Sequence, residues 1–452
     1  MKNDNKLTFL TKTFFGAGEI PGTTSKTMMG MLFMYFLTDV VGILPALAGT
    51  IFMIGRAWDG ITDPFMGIIS DRTRTRFGRR RPYFLIAAVP LGLFFFAMFN
   101  SFPLAAQWSK MAVYTTLYIL YMTAITVFTV PYLGLMAELT DDYTERTSVN
   151  NYRMFFSFIF GLCAAVLPKM LIDSYDNKEQ GFMIAALLVG IFIMIVPFLV
   201  FRATHERYEK APKSERLKVF SEFKTALSNK SFRSLIIIYM ASFAAINVIE
   251  GFVVYYMKYW IGREKEMPIL FVSVVLASVI TLPLWSVFSK KIGKKKTLIF
   301  GTLFWSGSQF FWLFLSPASS LVTICIVGAL VGVGYGCAHT LPWAMLPDVL
   351  DYDELRTGER REGIYSGIMT FLMKMGNSLA MFLIGLILQA VGYVPNVEQT
   401  GIALETMRLT MAFAPMSFLI VCLIALFVYP ITKETYLNIR RELDGKKALT
   451  SG

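Results

Sequence analysis

The amino-acid sequence predicts an all-α membrane protein, with twelve transmembrane helices in two pseudo-symmetric six-helix bundles. Composition is the first ground. Of 452 residues, 55% are hydrophobic and 16% charged, whereas soluble domains carry about 25% charged residues. The second is a succession of apolar segments, each close to the ~20 residues that a helix needs to cross a bilayer. The third is an internal repeat that makes the second half echo the first.

In chain order the apolar segments are 15–39, 45–70, 83–101, 111–136, 152–172 and 181–201, then 232–259, 268–289, 297–315, 320–346, 364–391 and 406–430. The first, second, fourth, seventh, tenth and eleventh are interrupted by Gly, Pro or charge and are expected to line a cavity. The third, sixth, ninth and twelfth are more uniformly apolar and are expected to face lipid. The longest polar stretch, RATHERYEKAPKSERLKVFSEFKTALSNKS at 202–231, divides the chain into an N-terminal bundle (1–201), a linker and a C-terminal bundle (232–452). Phe220, Phe223 and Leu227 are spaced for a short amphipathic helix on the membrane surface; a solvated linker fits equally.

Charge fixes the orientation. Of the 43 Lys and Arg, 32 fall on segments that share a side with the N-terminus, 7 on the opposite side, and 4 inside helices (Lys26, Arg56, Arg153 and Lys374). The positive-inside rule then places both termini in the cytoplasm of a plasma (inner) membrane protein. Located in this way, the net charge of +12 speaks for topology and not for nucleic acid. The polar start, MKNDNKLTF, is expected to carry no cleavable leader. Four Cys in apolar stretches show no pairing logic, and two separate His, His205 and His339, make no cluster, so neither disulfide nor metal is assigned. No nucleophile–base pair or nucleotide loop appears, which argues against an enzyme. No cofactor is expected, and the protein is expected to work as a monomer among membrane lipids.

The stretch from Gly55 to Tyr83, GRAWDGITDPFMGIISDRTRTRFGRRRPY, stands out. Arg56, Asp59 and Asp63 lie at i, i+3 and i+7, on one face of an apolar helix. Charges in such helices are expensive, and they pair or line a functional pathway. Two carboxylates one turn apart offer oxygen ligands to a small hard cation and also suit proton carriage. The bland alternative is a structural ion pair with Arg56 and Lys26. Glu19, Thr23, Lys26 and Gly30 form a polar stripe on the first helix, suited to a cavity wall or a helix seam. Lys26 either pairs with Asp59 or Asp63, the reading favoured here, or meets an acidic solute. With Arg153, Lys374 and Glu250, the helical charges balance, so an internal network is expected. Trp343 offers an aromatic platform to a sugar ring or a lipid chain; core packing is its alternative.

The repeat pairs TVPYLGLMAELTDDYTERT, from Thr129, with TLPWAMLPDVLDYDELRTGER, from Thr340, and DRTRTRFGRRR with SKKIGKKKT. Such repeats fit two halves with a solute bound between them near the midplane. The acids and bases at the inner helix ends are expected to gate that side: Asp71, Arg72, Arg79, Arg80, Glu138, Asp141, Arg146, Asp348, Asp351 and Arg356.

Gly67, Asp71, Arg72, Gly78, Arg79 and Arg80 resemble the inner-loop signature of the major facilitator superfamily. RAWDGITDP, DRTRTRFGRRRPY, ERTSVNNYR, LPDVLDYDE and GYVPNVEQ together resemble the glycoside–pentoside–hexuronide:cation symporters, the melibiose permease family, over nearly the whole chain. The resemblance implies the major facilitator fold and symport of a sugar or glycoside with Na⁺, Li⁺ or H⁺. It implies cation binding by Asp59 and Asp63, and it matches Arg153 and Lys374 to the family's Arg and Lys. Thr129 is grouped with the cation site, and the candidate solute-site residues are Glu19, Thr23, Lys26, Arg56, Arg153, Glu250, Trp343 and Lys374. Thr23, Thr129 and Leu133 stand where the melibiose permease pattern has Asp, Asp and Trp, so its galactoside contacts do not carry over. The VPY…TERTSVNNYRM segment is similar too to the sodium-dependent lysophosphatidylcholine symporters. The alternative implied is cation-dependent transport of an anionic solute or lysolipid.

Overall fold

The computed structural model describes residues 7–140, 143–206, 225–358 and 361–450, with the side chains of 137, 143, 144 and 445–450 left aside. Among the described residues every extended element is helical, and one isolated bridge joins Thr75 to Gly78. Asp141, Phe220 and Phe223 lie outside what is described. Among the described residues, eight helices are individually long and apolar enough to cross a membrane. The remaining expected spans depart from that measure for physical reasons. The first is broken into short helical turns, the second carries three charges in its apolar run, the third is a shorter apolar helix (Pro82–Met98), and the ninth is short and begins with three lysines.

The first unit comprises Met1–Ser214 together with Phe382–Val397. Its first span begins as α1 (Phe9–Ala17), breaks at Gly18, resumes as α2 (Ile20–Met28) and continues through π-helical turns at Met29–Phe33 and Phe36–Val40. Such turns are rare and gather at functional positions. Next come α3 (Pro45–Arg72), α4 (Pro82–Met98), α5 (Gln107–Leu139), α6 (Tyr143–Asp173) and α7 (Lys178–Ala203). Helix starts follow ordinary capping chemistry: Pro45 and Pro82 open α3 and α4, where a missing N–H costs nothing, and the Asn177 side chain accepts from the Glu179 N–H at α7. α3 packs on α5, and α4 on α7. An aromatic cluster of Phe33, Phe36, Phe52, Phe99, Tyr118 and Phe182, all buried, forms the core at the end of the first span.

Phe382–Val397, which the sequence boundaries put in the second half, groups with the first unit. The cause is a polar anchor. The Tyr393 hydroxyl donates to Asp39 Oδ2 at 2.6 Å, the Asn396 amide to the Asp39 carbonyl at 2.7 Å, and the Ala46 N–H to Gln389 Oε1 at 3.1 Å.

The second unit comprises Glu215–Met381 and Glu398–Gly452. It holds α8 (Lys230–Tyr255), α9 (Met267–Ile292), α10 (Lys294–Gln309), α11 (Leu321–Thr357), α12 (Glu362–Ala390, whose last turns belong to the first unit), α13 (Gly401–Val428) and α14 (Lys433–Thr450). Asn229, Ser320 and Thr400 cap α8, α11 and α13. α9 packs on α11 and α10 on α13, repeating the α3–α5 and α4–α7 pairings of the first unit. Gly332 and Gly336, one turn apart on α11, lie so close to the α9 backbone at Val274 and Ser278 that a side chain would collide with it. Exposed apolar side chains band α4, α7, α10 and α13, as expected of lipid-facing helices, yet α6 and α9 carry such bands too.

Candidate functional site

In the first unit α3 brings Asp59 and Asp63 against α5. The Thr126 hydroxyl lies 2.9 Å from Asp59 Oδ1 and 2.9 Å from Asp63 Oδ1. A hydroxyl has one proton and can donate to only one of them. Two carboxylate oxygens and one hydroxyl oxygen thus converge at one point between α3 and α5. Asp59 is 3% exposed and Thr126 2%, while Asp63 is half-buried. The site therefore has a dry floor and an open edge. Pro64 removes the N–H that would otherwise bind the Gly60 carbonyl, leaving a further oxygen on the turn between the aspartates. Arg56 is within electrostatic reach of Asp59, Tyr118 and Tyr121, which makes it a neighbour of the site. Thr129, the threonine expected here, turns its hydroxyl to the Ile125 carbonyl at 2.8 Å instead. Thr126, one turn earlier, takes the position on the carboxylates.

Also in the first unit, Glu19 and Arg153 form an ion pair, with Nη2 and Nε each 3.0 Å from Oε2. The guanidinium also lies over the Tyr132 ring, 5.5 Å from its centroid, and the Tyr132 hydroxyl donates to the Phe15 carbonyl at 2.8 Å. The break in the first span makes this possible, because Glu19 sits at the start of α2 and not within a continuous helix. Thr23 meets Ser157 at 2.9 Å. Lys26 is exposed on α2.

In the second unit Trp343 is 40% exposed and meets Tyr239 edge-on at 5.1 Å. His339 stacks on Tyr335 at 5.7 Å, as a packing residue would. Glu250 borders a small cavity with Tyr335 and Val331. Lys374 is half-buried on α12.

The helix ends carry charge clamps. In the first unit Arg79 and Arg80 both grip Glu138, the latter at 3.2 Å, and Arg80 reaches Asp71 at 3.0 Å. The Glu138 hydrogen bond raises the proton affinity of Arg79 above its ordinary value. Glu206, after α7, accepts the backbone N–H groups of Arg79, Arg80 and Arg81 at 2.6, 2.7 and 2.8 Å. Gly78, at φ +103°, lets the turn close over that carboxylate. Arg72 is exposed at the end of α3, and Arg146 donates to the Thr140 carbonyl at 2.8 Å. In the second unit Lys294 pairs with Asp348 at 2.6 Å, Arg361 with Asp353 at 2.9 Å, Arg356 with Asp353 at 3.7 Å and Arg440 with Asp351 at 3.4 Å.

These features suit a transporter, and comparison with known proteins decides the family. The family profile described as MFS/sugar transport protein matches residues 14–433. The chain belongs to this family. As a sugar-transport-family member it is a membrane transporter and not an enzyme. It is 29% identical to an uncharacterized symporter of Synechocystis, over 98% of each chain. It is 26% identical to the sodium-dependent lysophosphatidylcholine symporter 1-A of Danio rerio, over 98% of this chain and 88% of that one. It is 27% identical to the isoprimeverose transporter of Lactiplantibacillus pentosus, over 90% and 86%. The fold matches a bacterial homologue of the human lysosomal transporter Spinster with a TM-score of 0.67, 14% identity and coverage of 95% and 97%.

Two residues of this transporter escaped the sequence reading. Thr126 carried no signal of its own, since threonines are ordinary in apolar helices. Its placement on both aspartates comes from the α3–α5 packing. Glu206 lay in the polar linker, 125 residues or more from the turn it holds, and no local pattern joins the two.

Proposed function

We propose that the protein is a secondary active symporter that takes up a sugar or glycoside by alternating access, driven by Na⁺ or H⁺, with Li⁺ an acceptable substitute. The observation that carries this reading is the cluster of Asp59, Asp63 and Thr126. It presents three oxygens on two packed helices, two of them carboxylate oxygens, to a monovalent cation. Relatives named as symporters over the full chain length support it. Arg56 tunes the charge of the cluster, and Thr129 stays a neighbour without direct contact. Glu19, Thr23 and Arg153 contribute a polar wall to the solute cavity. Trp343 offers its exposed face to a ring, while Glu250 and Lys374 supply charge in the second unit. The clamps at Glu138 and Asp348 hold the inner helix ends as each unit moves. The orientation has both termini in the cytoplasm, in the inner membrane, with one chain as the working unit.

A second reading has one observation in its favour. Lys26 is exposed and can meet an acidic solute, and relatives include a lysophosphatidylcholine symporter and a glucuronide carrier homologue. The deciding measurement is cation flux in proteoliposomes stimulated by sugars, hexuronides and lysolipids in turn. Asp59→Cys and Asp63→Cys proteins that still concentrate solute at wild-type levels against a gradient would show the aspartates to be structural and overturn the cation site.

A further inference from the structure

We propose that the cavity at the α9–α10 turn of the second unit binds the phosphate-bearing headgroup of an anionic membrane lipid. The cavity measures ≈ 240 Å³ and is lined by Lys290, Lys294, Lys295 and Lys433 against a single carboxylate, Asp348. Four ammoniums around one anion leave a strong positive excess in a hollow that is otherwise apolar, with Met345, Ile431 and Leu437 in its wall.

Three lysines are committed, but only in part. Lys294 donates to Asp348 and to the Ala344 carbonyl. Lys295 donates to the Tyr429 and Phe427 carbonyls, and Lys433 to the Lys290 and Lys291 carbonyls. An ammonium has three donors, so each retains one beyond the two contacts named. Lys290 is exposed at the rim.

Two features point to an anion as what completes the site. α10 is preceded by Gly293, φ +90°, has no side-chain cap, and opens its first turn with Lys294, Lys295 and Lys296. Helix N-termini favour negative charge, so cations there oppose the helix dipole unless an anion joins them. Independently, the Tyr429 hydroxyl makes no hydrogen bond, although Tyr429 is 1% exposed and lines the same cavity. A buried hydroxyl without a partner is costly, and a phosphate oxygen would supply one.

Position selects the source of the phosphate. α9 ends at Ile292, α10 begins at Lys294 and α13 ends at Val428. The cavity thus lies where membrane-crossing helices end, at headgroup depth, and basic pockets between such helices take anionic headgroups. The apolar wall suits the glycerol and first methylenes of a lipid better than a free ion.

The test is thermal unfolding of the full-length protein in detergent, titrated with phosphatidylglycerol, phosphatidylcholine or sodium phosphate. Phosphatidylglycerol should raise the melting temperature saturably, and phosphatidylcholine should not. Lys290→Gln, the loss of one lysine at an anionic surface, should weaken the apparent affinity about fivefold. Tyr429→Phe should lose most of the lipid-induced shift while keeping the lipid-free melting temperature, because the deleted hydroxyl has no partner to lose. Equal protection by sodium phosphate, abolishing any added effect of phosphatidylglycerol, would keep the anion and overturn the lipid. Protection of both variants at wild-type affinity, or no protection of the wild type, would overturn the site.

Discussion

Replacing Thr126 with Val tests the cation site at its least obvious member. The two side chains are nearly the same size, so packing between α3 and α5 stays in place and only the hydroxyl is lost. That hydroxyl lies 2.9 Å from an oxygen of each aspartate. A hydrogen bond to a charged group contributes about 1.5–3 kcal/mol, which corresponds to about 10- to 100-fold in an equilibrium constant. If the coupling cation binds among these three oxygens, Thr126→Val should weaken its apparent affinity by about that factor. Solute exchange at saturating cation should survive. The assay is solute uptake into membrane vesicles as a function of Na⁺, Li⁺ and pH. Thr129→Val is the internal control, since its hydroxyl serves the Ile125 carbonyl, and it should leave cation affinity within about twofold. Wild-type cation affinity in Thr126→Val, or an equal loss in Thr129→Val, would refute the assignment.

Asp59→Cys and Asp63→Cys should each abolish ion-driven accumulation while leaving some solute exchange, measured by counterflow without a gradient. Lys26→Met should shift selectivity from acidic toward neutral solutes if the exposed ammonium meets the solute. It should instead change cation affinity if it serves Asp59 or Asp63; a variant that keeps both properties would exclude both roles. Glu206→Gln keeps the shape but removes the charge that three backbone N–H groups share. The turn at Arg79–Arg81 should then be cut by trypsin about tenfold faster or more, the effect of losing about 1.5–3 kcal/mol of local stability. Cysteines introduced at 205 and 215 should react with impermeant reagents only from the cytoplasmic side, and labelling from outside would invert the topology.

Much of the architecture was legible because a bilayer imposes its own arithmetic. Segment length and the Thr-x-Pro-aromatic repeat are both one-dimensional properties. Asp59 and Asp63 were legible for the same reason, as charges stand out in apolar helices. What sequence could not supply was rotation and breakage. Thr126 and Thr129 lie on the same helix three residues apart, and only the α3–α5 packing decides which of them faces the aspartates. The pair Glu19–Arg153 depends on the interruption at Gly18, where a continuous helix would have carried Glu19 elsewhere. The anchor at Asp39 needs Tyr393 and Asn396, more than 350 residues away, so the boundary expected at 232 could not assign Phe382–Val397 to the first unit.

The two clamps differ in a way that bears on what each unit can bind. In the first unit arginines grip Glu138 and Asp71, and a further carboxylate, Glu206, satisfies the turn's own N–H groups. Guanidinium forks match carboxylates closely, so Arg79 and Arg80 meet full charges, while Nε and Nη1 of Arg80 and Nε of Arg81 are buried without a hydrogen-bond partner. In the second unit the corresponding turn uses lysines, and two of the three that anchor it, Lys295 and Lys433, spend their donors on backbone carbonyls. A carbonyl carries only partial charge, so it orients an ammonium without neutralising it. Asp348 alone answers with a full charge. The same repeat therefore yields an arginine turn gripping carboxylates in one unit and a lysine-lined hollow in the other. The repeated motif sets the position of the turn, while arginine on carboxylate in one unit and lysine on backbone carbonyl in the other set how its charge is held.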